Sequence, residues 1–238
     1  MTEEDTNTEA EAVAFAKANK KEIARELTDP AKFPPDPEPV AVFMAGSPGA
    51  GKTEASERLI ERFSGDGHQV LRIDSDELRS RLPGYTGRNS SLFQYATSII
   101  SDRMQDAAID QRQSYVFDGT LTNLDRAREN IQRCLSRDYV VQILYVYQNP
   151  LQAWNFVVAR ELRDGRAVPQ ESFVAQYFTA RENVNTLKRE FGSKLRVDLI
   201  VKNIDGSDFA YQENVDQIDS HIPERYTKDI LREALKNL

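Results

Sequence analysis

Residues 46 to 53 read Gly-Ser-Pro-Gly-Ala-Gly-Lys-Thr, and these residue types at this spacing suit the capture of a chain of phosphates. With glycine at Gly46, Gly49 and Gly51, the loop can turn its backbone N–H groups inward around phosphate oxygens. A side chain there would hold the backbone off the anion and resist positive φ. Ser47, Pro48 and Ala50 complete the loop. Lys52 is long enough to reach β- and γ-phosphates, the Thr53 hydroxyl can ligate magnesium, and a helix starting near Lys52 would aim its free N–H groups at the same charge.

Two acidic sites follow at the ends of apolar runs. "VLRI" leads into Asp74, Asp76 and Glu77, and "YVF" leads into Asp118, Gly119 and Thr120. Phosphoryl transfer to a hydroxyl needs a carboxylate that orients the hydroxyl and takes its proton, and Asp76 is the candidate. Asp74, nearer the strand, supports the loop or caps the next helix, with Glu77 in its first turn. Asp118 admits three roles: a Walker B carboxylate acting on magnesium, a substrate contact beside Thr120, or a turn initiator. Substrate contact is the preferred expectation.

Charge of the opposite sign comes from "ARELRDGRAVP", which sets Arg160, Arg163 and Arg166 beside a Gly turn and a Pro. A fixed guanidinium can neutralise the charge that spreads over a transferring phosphoryl group. Arg160 and Arg166 are expected to form a lid over the γ-phosphate.

These residues need elements to position them. Residues 40–45, 68–73, 114–118, 139–147 and 194–202 read as strands, with helices near 53–63, 91–110, 123–136, 150–163 and 170–190. This alternation predicts an α/β fold, a P-loop NTPase-type parallel sheet of about five strands flanked by helices on both faces, with ligands at the carboxyl ends of the strands. Ahead of the sheet, residues 11–28 place Ala12, Ala16, Ile23 and Leu27 on one helical face, and a proline-rich stretch ends that helix. Residues 1–39 are therefore expected to be a helix and linker packed on a kinase domain spanning 40–238, whose last residues form an amphipathic helical tail.

Composition narrows the function classes. The 238 residues are 39% hydrophobic and 29% charged, enough for one good core. A net charge of −7 argues against nucleic-acid or anionic-membrane binding. Cys134 stands alone, and His68 and His221 are the two histidines, so a disulfide, a histidine-based zinc site and a Ser-His-Asp triad are all unattractive. The lone cysteine, together with the lack of a secretory or membrane-spanning pattern, leads to the expectation of a cytoplasmic protein. A GTPase would carry an N-K-x-D segment after the third or fourth strand, and none is present. A metabolic or nucleotide kinase, or a regulatory NTP-hydrolysing module, would use the same loop.

Taken in order, "GSPGAGKT", "IDSDEL", "FDGT", the arginine helix and "GRAVP" resemble the zeta toxin family of P-loop kinases, over roughly residues 10 to 202. The resemblance implies transfer of the γ-phosphate of ATP (or GTP), with magnesium, to the 3′-hydroxyl of UDP-N-acetylglucosamine, and an antitoxin as protein partner. It implies Asp76 as base, Lys52 and Thr53 as nucleotide and magnesium residues, and Asp118 with Thr120 in place of a substrate-binding "EGT". Arg160 and Arg166 match the γ-phosphate arginines, with Arg163 an alternative to Arg160, and Asp102 aligns with a further acidic substrate residue.

Overall fold

A computed structural model describes residues 2–65, 69–223, 225–236 and 238. His68, where the first residue of the second expected strand falls, lies outside them. In chain order the elements are α1 (Glu3–Leu27), β1 (Val40–Ala45), α2 (Lys52–Gly65), β2 (Leu71–Asp74), α3 (Ser75–Arg79), α4 (Gln94–Asp110), β3 (Tyr115–Asp118) and α5 (Leu124–Leu135). There follow β4 (Val140–Tyr147), α6 (Pro150–Asp164), α7 (Gln170–Phe191), β5 (Leu195–Lys202), β6 (Asp208–Gln212) and α8 (Lys228–Leu235).

The strands lie in the order β2-β3-β1-β4-β5-β6, parallel except for β6, which runs antiparallel to β5. β1 is central, pairing Phe43 with Phe117 of β3 on one side and with Ile143 of β4 on the other. Its side chains alternate between two cores, as strand geometry requires. Ala41, Phe43 and Ala45 join a large core with Ile100 of α4, Ile131 of α5 and Leu187 of α7. Val42 and Met44 face Leu59, Ile60 and Phe63 of α2. A strand buried on both faces reads as a continuous apolar run, so "VAVFMA" shows no alternation.

Two features extend the sequence reading. α1 begins at Glu3 rather than near residue 11, because Thr2 and Asp5 form a reciprocal capping box and acids fill the first turn. Its buried Ala12, Ala16, Ile23 and Ala24 pack on α4, and the small alanines permit close approach of the two helices. The linker is fastened as well: Gln113 Nε2 donates to the carbonyls of Thr28 (2.9 Å) and Phe33 (2.7 Å). The sixth strand, β6, is a mostly exposed edge of five residues. In the C-terminal tail, α8 buries Leu231 and Leu235 and packs on α7. Among the described residues no helix is long and apolar enough to cross a membrane.

Candidate active site

The strand order puts the 46–51 loop at the carboxyl end of β1, between β3 and β4. Gly46 adopts φ +135° and Gly49 φ +72°, and a Cβ on them would lie 2.4 Å from the Val146 carbonyl oxygen and 2.2 Å from that of Ala153. Glycine is thus required twice over, by conformation and by the close approach of β4 and α6. Lys52 donates through Nζ to the carbonyls of Ser47 (2.7 Å) and Gly46 (3.1 Å), reaching back across its own loop. Burial lowers its pKa, opposed by the charges of Asp118 and then Asp76, which places both carboxylates within electrostatic reach of the ammonium. Thr53 is exposed in the first turn of α2.

Parallel pairing of β2 with β3 sets Asp74 directly opposite Asp118. Arg72, on the same face of β2 as Asp74, bridges them, with Nη2 2.7 Å from Asp74 Oδ2 and 2.8 Å from Asp118 Oδ2. Asp118 is buried and also accepts a bond from Ser56 Oγ of α2 at 3.1 Å. Asp74 accepts from the backbone N–H of Asp76 (2.7 Å) and so caps α3. Burial, reinforced by the neighbouring Asp118 charge, raises Asp74 to about 6 despite that bond.

Asp76 is the meeting point of three arginines. Its Oδ2 accepts from Arg160 (2.9 Å) and from Arg166, and its Oδ1 accepts from Arg79 of α3. α6 carries Arg160 to this point, then ends at Gly165 in a left-handed cap that turns the chain toward Arg166. Arg163 points elsewhere: its guanidinium pairs with adjacent Asp164 and is largely exposed. Of the two candidates, Arg160 is the one in contact with Asp76.

The remaining expected residues lie on α4 and in the β3–α5 loop. Ser75 and Ser101 bring α3 against α4, hydroxyl to hydroxyl at 3.1 Å. Asp102, next to Ser101, is paired with Arg126 near the start of α5. The Thr120 and Thr122 hydroxyls are 3.2 Å apart in the β3–α5 loop. Three arginines of the site were missed in the sequence. Arg79 had a signal, since it stands three residues after Asp76 in one helix, and Arg72 had one in its two-residue offset from Asp74 on a strand. Arg126 had none, because its partner belongs to a different helix.

The residues present fit a nucleoside triphosphate, because Gly46, Gly49 and Gly51 all take positive φ and Lys52 Nζ reaches back across the loop they form. Among the described residues no three His, Cys, Asp or Glu are grouped to hold a metal unaided.

The zeta toxin family profile matches residues 23–216. No curated protein matches the chain. A structure from the PezAT chromosomal toxin–antitoxin system of the human pathogen Streptococcus pneumoniae is similar, with TM-score 0.59 and 18% identity, over 94% of this chain and 86% of that one. The AvrRxo1-ORF1:AvrRxo1-ORF2 complex with sulphate ions has TM-score 0.61 and 15% identity, over 90% of this chain and 70% of that one. The AvrRxo1-ORF1:-ORF2 structure with ATP has TM-score 0.58 and 15% identity, over 85% and 65%. At these identities the likeness is one of fold.

Proposed function

The chain belongs to the zeta toxin family, and we propose that this P-loop kinase-type enzyme phosphorylates a hydroxyl of a nucleotide sugar, the 3′-hydroxyl of UDP-N-acetylglucosamine. The observation that carries the proposal is the gathering of Arg160 and Arg166 on the carboxylate of Asp76, within electrostatic reach of Lys52.

ATP supplies the transferable phosphoryl group, and magnesium supplies charge neutralisation between its phosphates. The 46–51 backbone and Lys52 bind the phosphates, with Thr53 on the magnesium side. Asp118, bonded to Ser56 one helical turn beyond Thr53, is drawn by that bond to the magnesium side, as a carboxylate acting through water, in place of the substrate contact preferred from the sequence. Asp76 accepts the proton of the attacking hydroxyl, and Arg160 and Arg166 stabilise the charge that builds on the transferring group. Asp102, Thr120 and Arg126 are assigned to the acceptor, whose sugar hydroxyls would pair with them. The relatives solved as a toxin–antitoxin system and as a two-protein complex support a protein antitoxin as restraint on this activity.

Incubating the purified protein with ATP, magnesium and a panel of UDP-sugars, followed by mass spectrometry, tests the reading. Gain of one phosphoryl group on UDP-N-acetylglucosamine is expected. Phosphorylation of another hydroxyl compound would replace the acceptor, and ATP loss without any phosphorylated acceptor would overturn the kinase.

A further inference from the structure

The three arginines divide the two carboxylate oxygens of Asp76 unequally. Oδ2 accepts from both Arg160 (2.9 Å) and Arg166, which fills its two lone-pair positions, whereas Oδ1 accepts from Arg79. The donors also differ in how they are held. Arg160 and Arg166 stand on either side of the left-handed turn at Gly165 (φ +73°), and 39% of the Arg160 side chain is exposed. Arg79 is buried, with 8% of its side chain exposed, and lies three residues after Asp76 in α3. Its other amino group, Nη2, donates to Oε1 of Gln94, the first residue of α4, at 2.9 Å.

Phosphoryl transfer cannot run in this arrangement. The lid arginines are needed on the γ-phosphate, and the acceptor hydroxyl needs a free lone pair of the base on the side that faces the γ-phosphate. That side is Oδ2, because the arginines that serve the γ-phosphate stand there. A terminal phosphate offers more charge and three oxygens, and so draws both guanidiniums off a single carboxylate oxygen. Arg79 stays behind, anchored in the helix of Asp76 and to Gln94.

We propose that Arg79 is the residue that positions the base, keeping Oδ1 while Oδ2 passes from the lid arginines to the acceptor hydroxyl when ATP binds. The proposal rests on the kinase reading above and deepens it. As the acceptor oxygen bonds to the γ-phosphorus, the bond from that phosphorus to ADP breaks and ADP leaves with the electron pair. The hydroxyl proton passes to Oδ2. Without nucleotide, the lid arginines occupy the place of the hydroxyl, so nucleotide and acceptor favour each other's binding.

Calorimetry of UDP-N-acetylglucosamine on the wild type, alone and with saturating magnesium and the non-transferable β,γ-imido analogue of ATP, tests the exchange at Oδ2. The analogue should tighten acceptor binding about tenfold, within the usual range of coupling between two sites. In Arg160→Ala/Arg166→Ala the acceptor should bind equally with and without the analogue, because nothing then competes for Oδ2. Steady-state kinetics tests Arg79. Arg79→Met should lower kcat about 10²-fold, the scale of a misplaced catalytic group, with the KM for ATP unchanged. Arg79→Lys keeps the charge without the planar fork that spans Asp76 and Gln94, and should lose only about tenfold. That smaller loss stands as a test even where Arg79→Met folds poorly. A purely structural role for Arg79 would lower the unfolding midpoint and leave kcat per folded molecule unchanged. Acceptor affinity in the wild type indifferent to the analogue, or wild-type turnover in both Arg79 variants, would overturn the proposal while leaving the kinase standing. Absence of acceptor binding under either condition would overturn the nucleotide-sugar reading and this inference with it.

Discussion

The carboxylate of Asp76, in the first turn of α3, is held by the guanidinium of Arg166, ninety residues further along the chain. The contact joins the candidate base to the candidate lid, so the two groups that must act on opposite sides of a transferring phosphoryl group are already neighbours. Arg166→Ala should therefore lower kcat by about 10²-fold while changing the KM for ATP much less, as loss of a transition-state contact does. Arg163→Ala, which removes a guanidinium occupied with Asp164, should leave both within twofold of wild type, roughly the effect of a surface change. Steady-state kinetics with ATP varied checks both.

Asp76→Asn keeps the shape of the side chain and removes its basicity. Nucleotide affinity should persist and kcat should fall by about 10² or more. Calorimetry with ATP alongside single-turnover transfer separates the two effects, and an unchanged rate would move the base to Asp74 or Asp118.

Lys52→Ala deletes a charge from the centre of the phosphate loop without touching either core. Phosphoryl transfer should drop below roughly a tenth of wild type, with the thermal unfolding transition retained. Transfer at or above that level would remove Lys52 from the mechanism.

Asp74 connects the site to stability through pH. Its pKa is raised to about 6 by burial and by Asp118, so between about pH 4 and pH 6 the folded chain holds a proton that the unfolded chain has released. The contribution of Asp74 is greatest below about pH 4 and is lost as pH rises through 6. Asp74→Asn keeps an acceptor for the Asp76 N–H and removes the titration. It should raise stability at pH 7.5 by about 1–3 kcal/mol and flatten the slope from pH 4 to 6. Urea unfolding at a series of pH values measures this.

Deleting residues 1–30 should cost the soluble, folded protein. α1 covers α4 with Ala12, Ala16, Ile23 and Ala24, and its loss would expose the apolar groups beneath. Circular dichroism and gel filtration of the truncated chain report the outcome. A folded truncation with raised kinase activity would instead make α1 an inhibitor carried in the same chain.

By itself the sequence determined the elements whose cause is local. "GSPGAGKT" after an apolar run forms a strand, loop and helix because glycine alone tolerates the φ of Gly46 and Gly49 and leaves room for Val146 and Ala153. Alternating apolar runs and amphipathic stretches made the parallel sheet legible, and Asp76, Arg160 and Arg166 were legible from their places at strand and helix ends. The tertiary structure decided what depends on distant partners. It separated Arg160 from Arg163, since one turn of α6 aims the first at Asp76 and leaves the second beside Asp164. It brought Arg72 between Asp74 and Asp118 through the β2–β3 register, and Arg126 to Asp102 through the packing of α5 beside α4. It also added β6, which pairs because β5 offers an open edge, a backbone opportunity that side-chain pattern does not report. Side-chain periodicity reports which face a segment buries, whereas ion pairs and edge pairing depend on which segments meet.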